Sequence, residues 1–185
     1  MLKVASYNIR KGIGTDRLRR PERILDVLNE VGADIVALQE ADRRFGNRIS
    51  ALPLDLIAAH TDYVPVPFDT RPDSIGHHGN AILVRRAIEI SGHDIIHLPM
   101  IEPRGAVVSD LLWKNKSLRI VGMHLDLSGL RRRQQVRSVL SQIDARTPEM
   151  PSILMGDLNE WSRKGGCLGE FVGRHHDAHT GPSFH

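Results

Sequence analysis

The sequence predicts a mixed α/β chain, sheets packed together with helices outside. Two observations carry that prediction: a strand–helix–strand opening, and then a succession of strand-like runs interrupted by one amphipathic helix. The opening run "LKVASYNI" (2–9) alternates like a half-buried strand. "RPERILDVLNEVG" (20–32) reads as a helix: Pro21 suits its first turn, Ile24, Leu25, Leu28 and Val31 form an apolar stripe, and Gly32 is placed to end it. "ADIVALQE" (33–40) is the short apolar run of a buried strand. Strand, helix and strand in so short a span imply a right-handed crossover and two parallel neighbours. Further strands are expected at "DYVPVP", "NAILVRR", "IEISGHDIIHL", "AVVSDLLWKNKSLRIVGMHLD" and "SILMG", with "WKNKS" (113–117) as a hairpin turn. The interrupting helix turns Val136, Val139, Leu140 and Ile143 to one face.

Composition narrows the function classes. The 185 residues suffice for one domain with a real core, so residues 1–185 are expected to form a single domain. No apolar stretch is long enough to cross a bilayer, no long hydrophobic loop suggests stable membrane insertion, and "MLKVASYNIR" lacks the pattern of a secretion signal. A single cysteine, Cys167, excludes an internal disulfide and suits a reducing compartment; the expected location is cytoplasmic. Net charge is only +3, but arginines gather in "DRLRRPER", "ADRRFGNR" and "LRRRQQVR". On one face they would suit an anionic partner; each cluster alone reads as a solvated surface.

The placement of polar residues is more specific. Asn8 closes the first apolar run, Glu40 the second, His124 nearly closes "LRIVGMHL", and Asp157 with Asn159 closes "SILMGDLN". In a parallel pair both C-terminal strand ends lie on one edge, so Asn8 and Glu40 should be neighbours, and that edge is where open α/β sheets bind ligands. Asn80 opens a strand and reaches the same edge if that strand runs antiparallel. Taken singly, "GDLN" is an Asx turn, Glu40 a solvated strand end and His124 a hydrogen-bonded core histidine. Turns alone do not call for a carboxylate, an imidazole and two amides at the ends of separate buried strands.

"YNIR" (7–10), "LQE" (38–40), "GNAIL" (79–83), "HLD" (124–126) and "GDLN" (156–159) occur in the order and approximate spacing of the endonuclease/exonuclease/phosphatase superfamily, which the chain resembles from residue 3 to about residue 160. The resemblance implies a four-layered α/β/β/α sandwich of two mixed sheets and metal-dependent hydrolysis of phosphate esters. It implies that Glu40, with Asn8 beside it, holds Mg²⁺ or Mn²⁺, a hard ion that needs only one or two carboxylates. Asp157 would orient or activate the attacking water and Asn159 would hold that water or a phosphoryl oxygen. His124 would donate to the phosphate, Asn80 would bind another oxygen, and Arg104, in "EPRGAV", would add a charge-assisted contact.

The sequence departs from the superfamily in one respect. Relatives end with an Asp-bearing strand and a Ser-Asp-His motif, and neither is present; "HTGPSFH" (179–185) resembles the stretch that precedes them. The expectation is therefore a C-terminally truncated domain, with two strands missing and the open sheet edge covered by a dimer partner or by the folded-back tail "HHDAHTGPSFH". His175, His176, His179 and His185 are the histidines available to replace the missing base. Three functions stand: a phosphodiesterase, a metal-retaining but inactive nucleic-acid or headgroup binding domain, and a scaffold. Joint retention of Glu40, His124 and Asp157 argues against the scaffold. DNA or RNA, phospholipids and small phosphodiesters all suit the arginines at 17, 19, 20, 43, 44 and 48. Aromatic residues, at 4%, supply little material for base stacking.

Overall fold

A computed structural model describes residues 1–43, 49–68, 73–99, 104–162 and 166–178. Among these residues eight strands form two four-stranded sheets, of order β1-β2-β4-β3 and β5-β6-β7-β8. In the first, β1 (Val4–Asn8) pairs parallel with β2 (Ile35–Gln39), and β4 (Ala81–Arg85) runs antiparallel to both β2 and the short β3 (Tyr63–Pro65). In the second, β5 (Glu89–Ile96), β6 (Gly105–Trp113) and β7 (Lys116–His124) form an antiparallel meander, and β8 (Ser152–Asp157) returns parallel to β7. Both sheets are mixed, as expected. The β6–β7 turn is a two-residue hairpin whose central residues, Lys114 and Asn115, are both left-handed, with φ of 48° and 62°.

Alternation of side chains along the strands sorts the core into three apolar layers. On the outer face of the first sheet, Val36, Leu38, Ala81 and Leu83 meet Ile24, Leu25 and Leu28 of α1 (Pro21–Val31) and Ile57 of α2 (Leu54–His60). Between the sheets, Ile35, Ile82 and Val84 face Val107, Leu111 and Ile120. On the outer face of the second sheet, Ala106, Val108, Val121 and Met123 receive Val136, Val139, Leu140 and Ile143 of α3 (Gly129–Asp144). The order of layers is thus α/β/β/α. Gly122 lies where the sheets approach at their centre: a Cβ there would meet Ala37 Cβ at 3.4 Å and Ile82 Cγ1 at 3.5 Å, ordinary contact, so the space takes a methyl group and a side chain longer than alanine would press the sheets apart.

α1 ends as its sequence requires. Gly32 takes φ 58° and its N–H donates to the Leu28 carbonyl at 3.0 Å. Val31, read as part of the apolar stripe, is instead exposed, because the helix ends there and turns away from the sheet. α2 had no recognisable signature: with seven residues it makes two turns and buries only Ile57. Arg132 corrects the solvated reading of its cluster, since it is buried.

β1 and β8 are neighbouring edge strands of the two sheets, and both are half-exposed. Of the tail expected to cover this edge, the part that can be described brings His175 Nε2 to 3.2 Å from Ser152 Oγ, at the start of β8. That placement overturns His175 as a replacement base: Ser152 and Asp157 are opposite ends of one strand, roughly 17 Å apart. His176 is exposed, and His179 and His185 lie outside the described residues. Among those residues no helix is long and apolar enough to cross a membrane.

Candidate active site

Strand direction gathers the polar residues at one end of the sandwich. The parallel β1–β2 register sets Asn8 opposite Gln39, so Glu40 follows one residue beyond. The parallel β7–β8 register sets His124 opposite Asp157, and β6 begins with Gly105 opposite His124. Because β4 is antiparallel to β2, Asn80 arrives at the same end.

The side chains then join across the two sheets. Asn8 Nδ2 donates to Asp157 Oδ2 at 2.9 Å and makes a long contact, 3.5 Å, with Glu40 Oε1. His124 Nε2 lies 3.8 Å from Asp157 Oδ2, too far for a hydrogen bond. Arg104 Nη1 donates to His124 Nε2. Asn159 caps the end of β8: its backbone N–H donates to Asp157 Oδ1 at 3.0 Å and its Nδ2 to the Leu125 carbonyl at 2.8 Å. Asn80, fully buried, donates through Nδ2 to the Gly105 carbonyl at 3.1 Å, tying the start of β4 to the start of β6, while its Oδ1 has no partner. All seven residues proposed from sequence therefore share one end of the molecule.

Three details modify their expected roles. The Asn8 amide turns its nitrogen toward the carboxylates, and its Oδ1 accepts from the Arg10 N–H at 3.1 Å, so in this arrangement Asn8 spaces Glu40 from Asp157. Ligation of an ion through Oδ1 requires turning the amide over and giving up that bond. His124 receives a hydrogen bond on Nε2, which puts its proton on Nδ1; the donor near the strand ends is Arg104. Asn80 has its Nδ2 engaged by Gly105.

Burial pushes the His124 imidazole down to about 4, and the Arg104 charge pushes the same way against Asp157 and Glu40. The ring is thus neutral at neutral pH. In the unfolded chain it protonates near the ordinary value of 6.5, whereas in the fold it resists until about 4. Stability should consequently fall as pH drops through this window, by about 2 kcal/mol from this group at pH 5. Urea unfolding at pH 7 and pH 5 checks this: the loss should be smaller in His124→Gln, which cannot titrate, and equal losses would refute it.

Sequence reasoning missed the supporting residues. Lys11 Nζ pairs with Glu40 Oε2. Burial raises the Glu40 carboxyl, but the Lys11 hydrogen bond and charge and the Asn8 bond outweigh it, leaving Glu40 below its ordinary value. Asp42, buried, accepts from Ser74 Oγ at 2.9 Å and from the Gly79 N–H at 3.2 Å, which fixes the loop carrying Asn80. Glu160 accepts from the N–H groups of Cys167 (3.0 Å) and Ser162 (3.1 Å) and lies 3.4 Å from Arg132 Nη2. The Cys167 N–H is the main cause that holds its carboxyl down to about 2. Arg132 also donates to the Leu127 carbonyl, so the loops after β7 and β8 are clamped together. Nothing local marks these residues. The one available signal was Gly79, where a Cβ would lie 3.3 Å from Glu40 Cα.

Arg10, Lys11, Glu40 and Asn159 all have left-handed backbones, with φ of 47°, 59°, 53° and 49°. Each costs about 1–2 kcal/mol for a residue other than glycine, and such conformations concentrate at functional sites. Exposed Arg17, Arg19 and Arg20 follow this turn, and Arg43 is exposed as well; Arg44 and Arg48 lie outside the described residues. Leu127, Leu130 and Trp161 are also exposed, on the segments that follow β7 and β8.

The oxygen donors suit a hard divalent ion. Among the described residues no three His, Cys, Asp or Glu side chains converge on a metal position, so an ion here would rest on Glu40, with Asp157 near, and complete its shell from water and substrate in the manner of Mg²⁺.

A sequence model of the endonuclease/exonuclease/phosphatase family matches residues 5–182. Uncharacterised protein YbhP of Escherichia coli K12 is 25% identical over 189 residues, covering 88% of this chain and 68% of YbhP. The fold is shared with Danio rerio TDP2 complexed with a single-strand DNA product, at TM-score 0.67 and 19% identity over 87% of this chain and 62% of that one. An endonuclease/exonuclease/phosphatase from Bacteroides vulgatus superposes at TM-score 0.65 and 19% identity, covering 86% of this chain and 66% of its own. The chain therefore spans about two thirds of the length of these relatives.

Proposed function

The chain belongs to the endonuclease/exonuclease/phosphatase family, and from that premise we propose that it is a divalent-metal-dependent phosphodiesterase acting at the joined ends of its two sheets. The observation that supports this most is the Asn8 amide, which links Glu40 of one sheet to Asp157 of the other. Glu40 holds Mg²⁺, or Mn²⁺, with Asn8 available once its amide turns. When bound, the ion supplies charge neutralisation at the phosphate and a more acidic water. Asp157 orients the attacking water: its two oxygens are held by Asn8 Nδ2 and the Asn159 N–H, so the carboxylate does not rotate. Arg104 offers charge-assisted hydrogen bonds to the phosphate, and neutral His124 positions Arg104 and accepts from it. Asn80 ties the start of β4 in one sheet to the start of β6 in the other.

Exposed Leu127, Leu130 and Trp161, on the segments that leave the site, favour a diester with an apolar portion over a small, wholly polar ester. A single-turnover assay with Mg²⁺ or Mn²⁺ against bis(p-nitrophenyl) phosphate, single- and double-stranded DNA and phospholipid vesicles tests the proposal. Metal-dependent cleavage of at least one diester is expected, and a chelator should abolish it. Metal binding without cleavage of any of them would favour the second reading, a metal-retaining domain that binds nucleic acid or headgroups without turnover.

A further inference from the structure

Among the described residues Lys11 is the cation held directly on the Glu40 carboxylate, and the backbone around it is shaped to put it there. After β1 the backbone makes a 3₁₀ turn over Arg10–Gly12 in which Arg10 and Lys11 are left-handed, a conformation glycine would adopt without strain. The turn is bound to the end of β2: the Ile9 N–H donates to the Gln39 carbonyl at 3.0 Å and the Lys11 N–H to the Glu40 carbonyl at 3.1 Å. Arg19 Nε secures it from outside by donating to the Lys11 carbonyl at 3.2 Å. The result is Lys11 Nζ on Glu40 Oε2, with the two side chains 29% and 27% exposed, shielded enough for the pair to matter and open enough to separate.

We propose that Lys11 competes with the divalent cation for Glu40 and, once displaced, binds the substrate phosphate. This rests on the assignment of Glu40 as the principal metal ligand. Lys11 occupies Oε2 of Glu40 and only a long contact occupies Oε1; a divalent ion on either oxygen takes charge from the carboxylate and repels the ammonium beside it, so loading the ion weakens the hold on Lys11. Its four-carbon stem leaves the ammonium mobile while the stapled backbone stays in place. Asn8 Nδ2 spans Glu40 Oε1 and Asp157 Oδ2, and Asp157 Oδ2 lies 3.8 Å from His124 Nε2, so Glu40 and His124 border one space at the joined strand ends and Lys11, seated on Glu40, stands at its margin. Lys11 thus opposes metal binding in the free protein and favours the anion afterwards, which couples metal loading to substrate capture. A lysine that merely stabilised the turn would push neither quantity, or both in one direction.

The test is Lys11→Met, which keeps the length of the side chain and removes the charge, with Lys11→Arg as the charge-retaining control. Calorimetric titration with Mn²⁺ alone should show Lys11→Met binding about fivefold more tightly than wild type. Titration with inorganic phosphate in the presence of Mg²⁺ should show it binding phosphate about fivefold more weakly. Lys11→Arg should stay near wild type in both. Unchanged or weaker Mn²⁺ affinity in Lys11→Met, or unchanged phosphate affinity, overturns the proposal. Glu40→Ala, titrated in parallel, separates the two assignments. If it loses Mn²⁺ binding while Lys11→Met gains none, Lys11 alone is misassigned. If Glu40→Ala binds normally, the metal assignment itself has failed.

Discussion

Replacing Asp157 with alanine should lower hydrolysis of a phosphodiester by about a hundred- to ten-thousandfold, the usual contribution of a group that positions or activates a nucleophile. The folded chain should survive the change. Asp157 is the last residue of an edge strand, and its side chain, though only 13% exposed, is held by polar partners, the Asn8 amide and the Asn159 N–H. What is lost is local: Asn8 Nδ2 loses its short partner, and the Asn159 N–H loses its cap. Asp157→Asn sharpens the test, because it preserves shape and hydrogen-bonding reach while removing the charge and one acceptor. Both variants should keep a cooperative urea transition and lose single-turnover rate to a similar degree. Activity within threefold of wild type in either would move the water-positioning role to another residue.

Glu40→Ala should remove calorimetrically detectable binding of Mn²⁺. Glu40 follows the last residue of β2, so its side chain contributes no packing to the buried strand. Its partners are charged or polar: Lys11 and, at a longer distance, Asn8. With the carboxylate gone, the remaining oxygen donors near that position are Asp157 and neutral amides, too little charge to hold a hydrated divalent ion firmly. Glu40→Gln should behave like Glu40→Ala, since the amide retains an oxygen but no charge. Titration of either variant with wild-type affinity would exclude Glu40 as the principal ligand. Because the left-handed backbone at Glu40 also strains alanine, thermal unfolding of the variant should be recorded alongside.

Much of this site could be read from the sequence because it obeys a rule of topology. Polar residues that close parallel strands must share an edge, so Asn8 and Glu40 could be paired across 32 positions without any coordinates. His124 and Asp157 obey the same rule as the last residues of β7 and β8, but only the structure paired those two strands in parallel; in the sequence they joined the site through the family resemblance. Asn80 was harder, since its place depended on the direction of β4, which periodicity does not reveal. α2 escaped notice because seven residues show too little of a 3.6-residue period, and Val31 fell outside the core because an apolar residue at a helix end goes where the next turn takes the chain.

The sequence by itself determined the mixed α/β class, the covering helices α1 and α3 and the edge shared by Asn8 and Glu40, while the two-sheet sandwich came from the family resemblance. The class, the helices and the edge follow from local apolar periodicity, from Pro21 and Gly32 at the helix ends, and from the few ways strands can be connected. Only the tertiary structure decided which polar groups touch. It placed Lys11 on Glu40, turned the Asn8 nitrogen toward two carboxylates from different sheets, aimed Arg104 at His124 and buried the Arg132–Glu160 clamp beneath the loops. The physical reason is that hydrogen bonds and ion pairs act over about 3 Å between groups far apart along the chain. Their partners are set by strand register, sheet separation and left-handed turns, and no window of local sequence contains these.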